Sequence, residues 1–190
     1  MPRGPERART VAAPDDSIAG ARASRRTGPA AICLVGALAV ILVAGAPARM
    51  PLLVWNASPS SPRGLYGLVS GSPNLGDTVV AWPPAPAARF AAARGYLPPG
   101  IPLVKTLAAG PGDRVCAKGG AVWFAGRSFV MRQRTDRSGR ELPQWEGCRA
   151  LGSGEVLLLG LADPASFDGR YFGPTPASLI VGRARLLWRA

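Results

Sequence analysis

The chain has 190 residues and a formal net charge of +12, carried by twenty-one Arg and two Lys against eleven acids. That length buries one core, and the arginines are scattered along the sequence rather than gathered into a stripe, so a nucleic-acid-binding surface is not indicated. Histidine is absent, which excludes Ser-His-Asp and Cys-His catalysis and most zinc sites; no metal or cofactor is expected.

Residues 1–28 place Arg3, Arg7, Arg9, Arg22, Arg25 and Arg26 among Ala, Gly, Ser and Pro without apolar periodicity, the composition of a disordered basic tail. From Ala30 to Ala46 runs AAICLVGALAVILVAGA, an uncharged stretch that with its flanks reaches the roughly 20 residues needed to cross a bilayer as a helix. A transmembrane anchor is therefore predicted over residues 29–48. Arg25 and Arg26 precede it, so the tail faces the cytoplasm and residues 49–190 lie outside. A competing reading is a cleaved export signal, since SRRT before an apolar run resembles a twin-arginine signal and Ala46 and Ala48 fit small-residue cleavage positions. Both readings export the domain, and Leu52, Leu53, Val54 and Trp55 place its start near the membrane surface.

Beyond this point short β-type runs (GLYGLV, DTVVAW, PLVKTLAA, RVCAKGGAVWF, GEVLLLG, LIVGRARLLW) are separated by Gly and Pro turn signals, and Gly119-Gly120 reads as a hairpin turn. The predicted class is mainly β. One interruption, Pro83 to Pro102, predicts a short helix in ARFAAARGYL as a surface insertion, and Thr135 to Arg140 reads as a hairpin loop. Cys116 and Cys148 lack metal-type spacing; in an oxidising compartment a disulfide between them is the natural reading, with two buried free thiols as the alternative.

Two segments carry candidate chemistry. WNASPSSPRGLY sets Ser58, Ser60 and Ser61 between prolines, which alone is only a turn composition. In PLVKTLAAGPGD, Lys105 shares a strand face with Leu103 and Leu107, where desolvation would lower its amine toward neutrality and let it take a proton from a serine hydroxyl. An edge-strand lysine reaching out to water is the plain alternative. Lys118, beside the Gly-Gly turn, reads as an exposed turn residue.

WNASPSSPRGLY, PLVKTLAAGPGD and ASFDGRYFGP, in this order behind an N-terminal apolar span, resemble the boxes of the signal peptidase I superfamily. More narrowly, NxSxSxPxGLY, RGYLPPGIPLVK and FDGRYFGP resemble its conjugative transfer signal peptidases, the TraF type. The resemblance implies a small signal peptidase I-like β-rich catalytic domain, with Ser60 as nucleophile and Lys105 as general base. It also implies that Ser58 helps hold the oxyanion, that Ser166 positions the lysine amine, and that Asp168 and Arg170 form a bracing ion pair; their spacing of two puts them on one face if the segment is extended. The implied setting is a single-pass protein of a bacterial inner membrane with its catalytic domain in the periplasm. The implied substrate is a pilin precursor of a conjugation system, with other proteins of that apparatus as partners and the acyl-enzyme resolved by water or by the pilin's own amino terminus. A general signal peptidase and a catalytically silent membrane-anchored assembly factor are the rival readings; self-cleaving repressor-like proteins share the chemistry but not the span. Two departures stand out: Gly169 replaces a serine between the aspartate and arginine, and Ser61 replaces the methionine that commonly follows the nucleophile.

Overall fold

The computed structural model describes residues 53–126 and 128–190. The predicted tail of residues 1–28, the predicted span of 29–48, Cys33 and Leu52 lie outside the described residues. Among the described residues no helix is long and apolar enough to cross a membrane.

Eleven strands form two antiparallel sheets among these residues. The larger is ordered β1-β2-β11-β3-β4-β9-β10. It comprises β1 (Leu53–Asn56), β2 (Gly64–Val69), β3 (Thr78–Ala81), β4 (Leu103–Ala109), β9 (Glu155–Leu159), β10 (Thr175–Pro176) and β11 (Ile180–Arg189). The smaller is ordered β7-β6-β5-β8, from β5 (Arg114–Lys118), β6 (Ala121–Phe124), β7 (Ser128–Met131) and β8 (Gly147–Ala150). Each β-type run of the sequence becomes a strand of this mainly β domain, except RVCAKGGAVWF, which becomes the two strands β5 and β6.

The central strands of the large sheet are buried on both faces, which is why they read as near-continuous apolar runs rather than as alternating ones. In β9, Val156 and Leu158 join Val79, Ala81 and Leu107 in one cluster. Leu157 and Leu159 turn the other way and pack with Val115, Val122 and Phe124 of the small sheet. A third cluster joins Tyr66, Val80, Val104 and Ala184. Lys105 enters the middle of this apolar sheet, because β4 lies between β3 and β9 and opposes Lys105 to Val79.

The β5–β6 hairpin turns at Gly119 and Gly120, both with positive φ, 59° and 78°, as a two-residue turn of this kind requires. Lys118 is exposed beside it. The Pro-flanked insertion contains the predicted helix, α1 (Ala85–Arg94), which starts behind Pro84 and ends at Gly95, φ 71°. That left-handed residue turns the chain back, and the Tyr96 N–H donates to the Ala91 carbonyl at 2.8 Å. A second, four-residue helix, α2 (Gly169–Phe172), follows Asp168.

Cys116 and Cys148 face each other in the β5–β8 register and are joined by a disulfide. The bridge fastens the exposed edge strand β8 across a sequence separation of 32 residues. A loop of this size stabilises by about 3 to 4 kcal/mol through the unfolded state. The Cys116→Ala/Cys148→Ala double variant is expected to lose about 2 to 4 kcal/mol in urea unfolding, with reduction of the wild type giving the same shift; a midpoint unmoved by either treatment would refute this account.

Candidate active site

The segment Trp55–Tyr66 has too few apolar residues to pack by itself, and side-chain hydrogen bonds organise it instead. Asn56, 6% exposed, donates from Nδ2 to the carbonyls of Ser58, Ser61 and Pro62 at 3.0, 3.1 and 3.1 Å, and its Oδ1 accepts from Ser58 N at 3.2 Å. The Tyr66 hydroxyl donates to the Pro62 carbonyl at 2.8 Å. One buried amide thus fixes the turn that presents Ser58 and Ser60, a role sequence reasoning did not assign to Asn56, although an Asn opening a Ser/Pro turn is the signal for it.

Ser60 is 2% exposed. Its N–H donates to Ser58 Oγ at 3.2 Å, and the two hydroxyls are 3.0 Å apart. Ser61, in place of the usual methionine, is buried and donates to the Val104 carbonyl at 3.2 Å, which ties the serine turn to the residue before Lys105.

Lys105 is 3% exposed, and its Nζ donates to Ser166 Oγ at 2.8 Å. Burial lowers the amine from its ordinary value to about 8. The Asp168 carboxylate opposes that shift, the Arg170 guanidinium reinforces it, and Asp163 opposes it again. No hydrogen bond joins Lys105 to Ser60; the two side chains line one cleft of about 430 Å³ together with Ser58 and Ser166.

Asp168 and Arg170 differ from the expectation of an extended pair. Asp168 stands at the N-cap of α2 and accepts the Arg170 N–H at 3.1 Å, because a carboxylate satisfies free helix N–H groups better than a strand ladder would. The side chains also pair, Arg170 Nε to Asp168 Oδ1 at 2.8 Å and Nη2 to Oδ2 at 3.0 Å, both residues almost fully buried. Arg170 further donates to the carbonyls of Pro164 and Gly160 at 2.8 and 3.0 Å. Asp168 Oδ2 accepts from Gly160 N at 2.7 Å. Gly169, the other departure, has no room for a side chain: a Cβ there would stand 2.8 Å from Leu157 Cδ1 and 2.9 Å from the Leu158 carbonyl oxygen.

The ion pair clasps Gly160 from both its N–H and its carbonyl. A Cβ on Gly160 would stand 2.3 Å from Ser166 Oγ and 2.6 Å from Ser60 Cβ, so the absence of a side chain at 160 lets the serine turn approach the lysine's partner. Sequence reasoning passed over this glycine as the end of a strand. The helix-bearing insertion also differs from a mere surface feature: Ala91, Arg94, Tyr96 and Leu97 line the cleft, and Phe90 stacks on Phe167 at 5.4 Å, beside Ser166.

The family described as "Signal peptidase, peptidase S26" matches residues 25–189. A plasmid transfer protein TraF of Escherichia coli is 33% identical over 157 residues, covering 77% of this chain and 88% of its own length. A conjugal transfer protein TraF of Agrobacterium tumefaciens (strain 15955) is 33% identical over 153 residues, covering 68% and 78%. Among solved structures, a signal peptidase I of Enterococcus faecalis V583 aligns with 60% of this chain and 98% of its own at 18% identity and a TM-score of 0.36, too loose a likeness to carry any residue across.

Gly160→Ala is expected to separate Ser60 from Ser166 and Lys105 while leaving the sheet core in place. Labelling of Ser60 by a serine-directed fluorophosphonate should slow by on the order of 100-fold, since a displacement of about 1 Å has that effect. Unchanged labelling would show that the gap at residue 160 is not needed.

Proposed function

The chain belongs to the signal peptidase S26 family, and we propose that it is a membrane-anchored serine endopeptidase that cleaves a pilin precursor, or a related exported protein, of a conjugative transfer apparatus. Membership of the family supports peptidase chemistry, and the names of the TraF relatives support the conjugative setting. The observation that carries the reading is a lysine amine shielded from water, lowered to about 8 and held by Ser166 in the cleft that contains Ser60.

In this mechanism a neutral Lys105 takes the Ser60 proton as Oγ attacks the scissile carbonyl, and the resulting ammonium protonates the leaving amine. With no histidine in the chain, Lys105 is the base available to a buried hydroxyl. Rotation of the Ser60 hydroxyl from Ser58 toward Lys105 starts the step. It leaves the Ser58 hydroxyl without its acceptor, and a turn of Ser58 Oγ away from the Ser60 N–H lets both groups donate to the developing oxyanion, a contribution of roughly 3 to 4 kcal/mol per donor in comparable sites. Ser166 keeps the amine aimed, while Asp168 and Arg170 hold the Gly160 segment against it. Water, or the amino terminus of the same substrate, then releases the acyl group; the cyclic product is lighter than the linear one by one water.

The substrate enters as an extended peptide lying beside a strand. The apolar run Ala30–Ala46 behind Arg25 and Arg26 supports a single span in a bacterial inner membrane with the domain in the periplasm, and the Cys116–Cys148 bridge suits that oxidising side.

Two measurements test the proposal. Ser60→Ala and Lys105→Met should each lower precursor processing by about three orders of magnitude or more while the protein unfolds as the wild type does; normal maturation in Ser60→Ala would sink the enzyme. The neutral amine is the active form and is populated above its pKa, so kcat/KM should rise with pH through an inflection near 8. A flat profile from pH 6 to about 9 would assign the base elsewhere.

A further inference from the structure

One wall of the cleft comes from the end of α1 and the residues after it, and from the loop between β7 and β8. Asp136 ties these pieces together. Its Oδ1 accepts from Ser138 N and Arg140 N, both at 2.9 Å, and its Oδ2 accepts from Arg140 Nε at 2.7 Å and from the Tyr96 hydroxyl. These bonds, the one from Tyr96 foremost, hold the carboxyl far below the ordinary carboxylate range. A carboxylate offers about four acceptor positions, and here all are taken. Arg140 adds a bond from Nη2 to the Arg94 carbonyl at 3.2 Å.

Arg94 sits at the edge of this network, ion-paired with Asp136 and beside the Tyr96 hydroxyl. Its Nη1 is 3.6 Å from Asp136 Oδ2, close enough for charge attraction but not for a hydrogen bond, and that nitrogen is buried without a partner. Among the described residues the Arg94 guanidinium makes no short, well-aligned hydrogen bond, its nearest polar neighbours being Asp136 and the Tyr96 hydroxyl. The group lies over the Phe90 ring at 4.6 Å, which fixes its position by a cation–π contact and leaves its edge with no close acceptor of its own. Phe90 in turn stacks on Phe167, so Arg94 is held by the same aromatic packing that backs Ser166. Around it the wall carries Arg94, Arg137 and Arg140 against Asp136 and Asp163, an excess of positive charge. A cation in the last turn of α1 suits the helix dipole, but neither the dipole nor the loose pairing with Asp136 fills the two-pronged acceptor position of a cleft-lining guanidinium.

We propose that Arg94 is the specificity-determining residue for a carboxylate on the substrate, supplied by an acidic side chain near the scissile bond or by the carboxyl terminus of the precursor. The inference rests on the peptidase reading above and deepens it. A planar guanidinium takes a carboxylate with two parallel hydrogen bonds, and side-chain amides or neutral residues cannot replace both the charge and the geometry. The substrate class is therefore an extended peptide with an acidic group within reach of Arg94 when its scissile carbonyl sits at Ser60.

The test uses the full-length protein and synthetic peptides spanning the cut site of a conjugative pilin precursor. In one series a single Glu or Gln is walked through the positions on either side of the cut; in the other the peptide ends in a free or an amidated carboxyl group. The quantity read is the acid-to-amide ratio of kcat/KM within each protein, so a general loss of activity in a variant cancels. For the wild type one placement should give a ratio of about 10 to 100, the range of a charge-assisted pair. Arg94→Gln should bring that ratio close to one through KM, and Arg94→Lys, which keeps the charge but not the fork, should leave an intermediate value. A preference in the first series assigns the side chain and one in the second assigns the terminus. A wild-type ratio near one throughout, or a preference that survives both substitutions, overturns the inference while leaving the peptidase intact. A wild type that cleaves no peptide and takes up no fluorophosphonate at Ser60 overturns the peptidase reading and this inference with it.

Discussion

Lys105 stands in an interior strand of a seven-stranded sheet with its amine shielded from water, and most of the site answers to that placement. An ammonium in an apolar sheet is unfavourable, so burial moves the group toward its neutral form. A neutral amine still needs a hydrogen-bond partner, and Ser166 supplies it from a segment 61 residues further along the chain. The same burial that makes the lysine costly to the fold makes it usable as a base near neutral pH.

Asp168 and Arg170 complete the electrostatics. A buried carboxylate close to a buried lysine would raise the amine and work against its neutral form, and the adjacent guanidinium offsets this. Both members are satisfied by backbone groups as well as by each other, which is the condition under which a buried pair is tolerated. Their shared hold on Gly160 links the charge arrangement to the approach of the serine turn. The ion pair therefore acts on geometry as much as on charge.

The serine turn depends on polar groups where the sheet depends on apolar ones. Asn56 satisfies three carbonyls that the prolines leave without N–H partners nearby, and Ser61 fastens the turn to β4. The inserted helix is linked to this centre through Phe90 and Phe167 and to the β7–β8 loop through Asp136, so one wall of the cleft and the lysine-holding segment share a single packed unit. The last residue of that helix, Arg94, lines the cleft.

The strands of the large sheet were legible because double burial writes itself as apolar runs, and the β5–β6 turn because two glycines are needed for its backbone. The three boxes carry Ser58, Ser60, Lys105, Ser166, Asp168 and Arg170, which the fold gathers around one cleft and the Gly160 segment behind it. Strands β1, β7 and β8 were not legible: they are short and lie at sheet edges, and β8 is exposed at every position, so no alternation marks it. The sequence by itself determined the residue types, the absence of any histidine base and the apolar setting of Lys105, since these are local properties of composition and pattern. Only the tertiary structure decided that β4 is interior rather than an edge, that residue 160 must lack a Cβ, and that Arg94 of a surface-like insertion faces the cleft. Those depend on which distant segments pack together, and no local pattern encodes the space left between them.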